Sequence, residues 1–203
     1  MTAPFIAAKT ALLIVDLQND FLHPDGAYAR GGLENANIAA LPARISPLAE
    51  LLREKGGCVI STHFTLVPGR GGEPIISPHL KQIRPFLRKG DFLPASWGHA
   101  QVDELGPADM AVEKIAYSAF YMTRLEWLLR KTGIEHLIVG GIVTNGGVAS
   151  TVRDAHVRDI GVTVLEDGCA AFSQEMHRTS IEALGPVALV STVAKAIEAV
   201  GAQ

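Results

Sequence analysis

The sequence predicts an α/β protein, a parallel sheet of six strands with helices on both faces. Three observations predict it. Short, nearly continuous apolar runs recur along the chain, as strands covered on both sides require. Stretches with helical spacing separate them, several ending on glycine. No internal repeat or low-complexity linker breaks the alternation across the 203 residues, so one domain over 1–203 is expected.

Each element follows from its own pattern. The run "TALLIVDL" (10–17) reads as the first strand. A helix is expected over 38–57, with Leu41, Ile45, Leu48, Leu51 and Leu52 on one face and a Gly pair at its end. Pro42 and Pro47 should make its first turns irregular. "CVIST" (58–62) is the second strand. Residues 65–100, rich in Gly, Pro and Ser, form a long connection of the sort that often carries a binding loop. "MAVEKI" (110–115) is the third strand and "MTRLEWLLRKTG" (122–133) an amphipathic helix. "HLIVGGIV" (136–143) is the fourth strand, and a helix opens in the "TNGG" turn that follows. "VTVLED" (162–167) and "VALVST" (187–192) are the last strands, with a helix over 173–185 between them and another to the C-terminus. Ligands of such a sheet bind beyond the carboxyl ends of the strands, where the strand order reverses.

Bulk properties exclude several function classes. The net charge of -3, with basic residues scattered, gives no footprint for nucleic acid or an anionic membrane. Lys9 and Asp16 break the N-terminal apolar stretch, so neither a signal peptide nor a membrane span is expected. Two cysteines, Cys58 and Cys169, are too few for a disulfide framework and read as buried thiols. A cytoplasmic protein acting on a small molecule is the expectation.

Two charges stand where such a sheet binds its ligand. Asp16 is near the end of the first strand, where a charge is costly unless paired or functional. A turn acid or N-cap is the plainer alternative, and Asp20 or Asn19 could fill that role. Lys114 ends the third strand, where a lone Lys is ordinarily solvated. Residues 144–147 open a helix, so their N–H groups could hold a carboxylate or a developing oxyanion. Neither a G-x-G-x-x-G nor a G-x-x-x-x-G-K-[ST] motif is present.

The segments "LLIVDLQNDFLHPDG", "EKIAYSAF" and "GGIVTNGGVASTVRDAHVRDIGVTVLEDGCAAFSQEMH" resemble, in order, the three signature blocks of the isochorismatase-like hydrolase superfamily, also called the cysteine hydrolases. The resemblance implies a hydrolase on a six-stranded, Rossmann-like sheet, assembled as a homodimer or homotetramer. It implies Asp16 and Lys114 as the catalytic pair and a cis peptide at Ile142–Val143. Val143, Thr144, Gly146 and Gly147 of the turn, with Phe21, His63 and Tyr117, are then expected to line the substrate pocket. In the amidase branch the turn reads roughly T-x-x-C-V. Counting from Thr144 puts that cysteine at Gly147, so an acyl-thioester cannot form there. Metal-binding members of that branch carry Asp-x-His after strand two, where this chain has "STHFTL" with His63 alone, so neither metal nor other cofactor is expected.

A site without a nucleophile suits the isochorismatase branch, which cleaves an enol ether by protonation. Asp16 would be the general acid, its pKa raised by burial, and Lys114 an anchor for a substrate carboxylate. Arg70, Arg84, Arg88 and Lys89 in the long connection are candidate partners for an anionic substrate. The resulting expectation is a hydrolase of a small carboxylate-bearing metabolite working by acid–base chemistry. The alternatives are a catalytically degenerate metabolite binder and an amidase whose nucleophilic cysteine is replaced by Gly147. Thr144 or Ser150 as a hydroxyl nucleophile is a weaker fourth reading, since Ser150 points back along its helix.

Overall fold

A computed structural model describes residues 5–203. β1 (Thr10–Val15) leads through three single-turn helices, α1 (Asn19–Leu22), α2 (Ala27–Arg30) and α3 (Ala36–Ala39), into α4 (Leu41–Glu54). β2 (Cys58–Phe64), the short α5 (Pro78–Ile83) and β3 (Met110–Lys114) follow. Then come α6 (Leu125–Thr132), β4 (His136–Ile142), a π-helical turn (Thr144–Val148) running into α7 (Ala149–His156), β5 (Gly161–Ala170), α8 (Gln174–Leu184), β6 (Leu189–Ser191) and α9 (Val193–Gly201). The six strands pair in parallel in the order β3-β2-β1-β4-β5-β6. The order reverses between β1 and β4, which opens a crevice at their carboxyl ends.

Every residue of β1 is buried, which explains its unbroken apolar run. Alternation then divides its side chains. Leu12 and Ile14 pack with Ile45, Leu48 and Leu52 of α4 and Val200 of α9, while Leu13 and Val15 pack with Leu125, Val152 and Leu184 of α6, α7 and α8. The result is three layers, with each fully buried Leu or Ile contributing about 1.5–3 kcal/mol of burial free energy. A third cluster, of Tyr28, Leu66, Leu87 and Phe92, packs the long connection over the carboxyl edge.

Local detail departs from the sequence reading in physical ways. The helix expected from 38 is two helices. Asn35 caps the first through Asn37 N and Ile38 N, Pro42 sits in the first turn of the second, and Pro47 is accommodated inside it. β5 is longer than 162–167, because a register irregularity between Val139 and Gly141 lets the strand continue through Glu166–Gly168. No helix among the described residues is long and apolar enough to cross a membrane.

Candidate active site

β1 delivers Asp16 to the crevice with an unusual backbone. Its φ of 56° is left-handed, a region that Asp tolerates better than most residues. The Asp16 N–H donates to the carbonyl of Thr62 at 3.2 Å, and the Thr62 hydroxyl donates to Asp16 Oδ1 at 2.6 Å. The other carboxylate oxygen, Oδ2, is 2.6 Å from Lys114 Nζ, with both side chains 5% exposed or less. Lys114 sits beside Phe64 in the sheet, so it reaches Asp16 across the end of β2. Its ammonium also donates to Ala116 O at 3.1 Å. Lys114 is therefore a buried partner and not a solvated strand end. Burial drives the Asp16 carboxyl above the usual carboxylate range, and Lys114 and Thr62 pull the other way without cancelling it.

The turn after β4 faces this pair. The Ile142–Val143 peptide is cis. A Cβ built on Gly147 would lie 3.4 Å from Asp16 Oδ2, 3.2 Å from Val15 Cγ1 and 3.0 Å from Ile142 O. One built on Gly146 would meet Val143 Cγ2 at 3.0 Å and the Tyr117 ring at 3.4 Å. The paired glycines thus have separate causes, since each stands where a side chain would press on a neighbour. Before them, Gly141 has φ 119°, and a Cβ there would fall 2.2 Å from Val15 O. Only glycine lets β4 approach β1 this closely.

Asp16, Lys114 and Gly147 open on one cavity of about 310 Å³. Phe21, Tyr117 and Val143 line it as expected, joined by Tyr28, Phe64, Arg84 and Phe172. Three expected residues do not line it. Thr144 is fully buried, and its hydroxyl pairs with His177 Nδ1 at 2.8 Å on the other side of the turn. Gly146 backs the Tyr117 ring instead of facing the space. His63 lies in a neighbouring cavity with Ser61 and Gln101, its Nε2 2.9 Å from Ser61 Oγ. The cause is alternation along β2, which puts Ser61 and His63 on one face and Thr62, the residue that meets Asp16, on the other. Thr62 is not among the residues expected from the sequence, because the parity of β2 is set by its register against β1, with Val15 opposite Thr62.

The remaining acids and polar groups of the "QND" stretch hold the site's frame. Gln18 accepts from Phe64 N at 2.8 Å and donates to His99 O at 2.9 Å. Asn19 donates to Trp97 O at 2.8 Å. Asp20 accepts from Phe92 N at 2.6 Å and Ala27 N at 3.0 Å. So Asp20 has the turn-acid role and Asp16 does not. Neither cysteine lines this cavity. Cys169 is buried in β5 with its thiol pushed up to about 12, and burial lifts Cys58 to about 11. Among the described residues no cluster of three or more His, Cys, Asp or Glu is arranged to hold a metal.

Comparison with known proteins bears on the family and the fold. A family model described as the isochorismatase domain matches residues 10–195. The ureidoacrylate amidohydrolase RutB of Pantoea ananatis is 33% identical, with 97% of this chain and 84% of the relative covered. That of Caulobacter vibrioides strain ATCC 19089 is also 33% identical, over 81% of this chain and 78% of its own. Among solved structures, a cysteine hydrolase from Pseudomonas syringae pv. phaseolicola superposes with a TM-score of 0.83 at 25% identity, covering 98% of this chain and 95% of that one. N-carbamoylsarcosine amidase from Thermoplasma acidophilum gives 0.71 at 25% identity, covering 91% and 96%.

Proposed function

The chain belongs to the isochorismatase domain family and is a hydrolase, and from that premise we propose that it cuts a C–N bond in a small carboxylate-bearing amide or ureido compound, using water directly and forming no acyl-enzyme. One observation carries the reading. The space above Gly147, where a Cβ would stand 3.4 Å from Asp16 Oδ2, adjoins a buried carboxylate already held at 2.6 Å by Lys114. A water in that space is within reach of Asp16 and of a carbonyl bound in the cavity.

The steps follow from those positions. Asp16 takes a proton from the water as its oxygen bonds to the carbonyl carbon. Lys114 favours the ionised Asp16 before the transfer, and Thr62 fixes the carboxylate plane through Oδ1. When the tetrahedral adduct collapses, the C–N bond breaks and Asp16 returns the proton to the departing nitrogen. An acid and an amine leave, and the enzyme is restored. General acid–base catalysis of this sort contributes about 10²–10⁴-fold, and positioning must supply the rest.

The names of the relatives, ureidoacrylate amidohydrolase and N-carbamoylsarcosine amidase, support an amide-type substrate. They shift the balance from enol ether cleavage, which the sequence had put first. That second reading keeps one observation in its favour, an Asp16 pKa raised in the direction a general acid needs. A panel of ureido acids, N-carbamoyl amino acids and primary amides, assayed for ammonia or amine release, tests the proposal. Turnover is expected, with a loss of roughly 100-fold or more in Asp16→Asn. Pyruvate release from isochorismate with no amide turnover would establish the enol ether reading instead. Metabolite binding with no turnover at all would make the chain a binding protein.

A further inference from the structure

The cavity holds a cation that the acid–base pair does not use. Arg84 follows α5 and lines the cavity that Asp16 and Lys114 also line. Its Cζ lies 5.7 Å from the Tyr28 ring centroid and 5.8 Å from that of Phe172, and those two rings stack at 5.4 Å with an interplanar angle of 13°. Nε donates to the Tyr28 hydroxyl at 3.4 Å and Nη1 to Ile83 O at 2.9 Å. Those contacts fix the plane of the fork and leave Nη2 without a protein acceptor among the described residues. No described carboxylate pairs with Arg84. Other arginines in the same chain do find one, as Arg30 does with Asp91 and Arg53 with Asp109. A half-buried guanidinium with its plane set, its aromatic neighbours in place and no acid partner is arranged for a planar anion from outside.

Lys114 cannot take that role. It is spent on Asp16 Oδ2 and Ala116 O. Of the other expected cations, Lys89 bonds to Gly71 O, and Arg70, Arg88 and Lys89 do not line the cavity. Since Asp16 and Lys114 balance each other, Arg84 leaves the cavity short of one negative charge. Phe21, Phe64, Tyr28 and Phe172 provide flat apolar walls between the two polar sites.

We propose that Arg84 is the specificity-determining residue, clamping the carboxylate of a small, flat monocarboxylate whose scissile group then lies at Asp16 and Gly147. The proposal rests on the hydrolytic reading for the placement of the scissile group, and its test is a binding measurement that does not need turnover. The probes are cinnamate and its neutral isostere cinnamamide, titrated calorimetrically into the full chain. Wild type should bind cinnamate at least ten-fold more tightly than cinnamamide. Arg84→Met should lose roughly ten- to a hundred-fold on cinnamate, with cinnamamide changed less than about three-fold. Arg84→Lys, which keeps the charge and loses the fork, should fall between. Equal affinity for the two probes, no cinnamate binding to wild type, or an Arg84→Met that weakens both alike would overturn the assignment. A protein that discriminates the probes through Arg84 yet hydrolyses nothing would leave the clamp standing and remove the hydrolytic reading.

Discussion

Placing a thiol at Gly147 tests the site's geometry directly. The Cβ of Gly147→Cys would stand 3.4 Å from Asp16 Oδ2, so a sulfur about 1.8 Å further on can hydrogen-bond the carboxylate or point into the cavity. The backbone there is not left-handed, so a side chain brings no φ penalty. Leaving glycine in a helical turn recovers about 0.5–1 kcal/mol. Against that, the contacts of 3.0 Å to Ile142 O and 3.2 Å to Val15 Cγ1 need shifts of a few tenths of an ångström, and overpacking costs about 1–3 kcal/mol. The net is between zero and a destabilisation of about 2.5 kcal/mol, a fall in Tm of at most roughly 10 °C for a domain this size. The variant should therefore fold. Quenched with an amide substrate and weighed intact, it should show an acyl adduct that wild type lacks. Gly147→Ala fills the same space without a nucleophile, occupies the position the proposal gives to water, and should lower kcat at least ten-fold with Tm within the same range. A folded Gly147→Cys with no adduct, beside a Gly147→Ala at the wild-type rate, would refute both the position of the nucleophile and the direct use of water.

Three more outcomes follow from named contacts. Asp16 must be ionised to accept a proton, and its folded pKa is raised, so kcat/KM should fall as pH drops through a value above 3.8; a profile that instead falls as pH rises would assign Asp16 as the acid. His136 is held neutral by burial beside Thr163, its pKa lowered to about 4, so the unfolded chain binds more protons between there and 6.5. Stability should be full above pH 6.5 and drop by roughly 2–3 kcal/mol as pH falls towards 4, read from urea midpoints at constant m, and His136→Gln should flatten that dependence. Gly141→Ala would drive a Cβ to 2.2 Å from Val15 O at φ 119°, and should destabilise by more than about 4 kcal/mol or abolish folding, whereas Gly133→Ala, whose Cβ would meet nothing within 4 Å, should cost only the left-handed strain of about 1–2 kcal/mol. Thermal melts of the two variants decide this.

The fold was legible because its signals are local. An apolar run as short as β1, one of several alternating with helical stretches, reads as a strand by its length, and the spacing of Leu41, Ile45, Leu48 and Leu52 marks the buried face of α4. Asp16 stood out as a charge at the end of an apolar strand, whereas Lys114, ordinarily a solvated strand end, was singled out by the family resemblance. What the sequence could not convey is which distant residues meet them. Thr62 lies 46 positions from Asp16, and the stack of Tyr28, Phe172 and Arg84 brings together three segments with no common pattern. His63 was misplaced by one residue of strand parity. It stands next to Thr62, and parity depends on how β2 registers against β1, with Val15 opposite Thr62. The glycines were legible as a turn, but their separate causes are contacts with Val15, Ile142 and Tyr117 that only the folded chain makes.

The buried pair itself argues for chemistry over stability. Removing two charges from water costs several kcal/mol per ion, and an apolar pair of similar volume at the same place is often as stable or more so. Asp16 and Lys114 are nearly inaccessible, yet they open on a cavity instead of being packed into a core cluster. Asp16 also holds a left-handed backbone, with its N–H tied to Thr62, to aim the carboxyl at the space over Gly147. A carboxylate kept for folding alone would need neither the backbone excursion nor the open face. Burial makes its ionised form costly and Lys114 makes it attainable, the opposed pair of effects from which a proton-transfer group is built. In the mechanism proposed above, the work of a covalent nucleophile falls to that balance and to the volume beside Gly147.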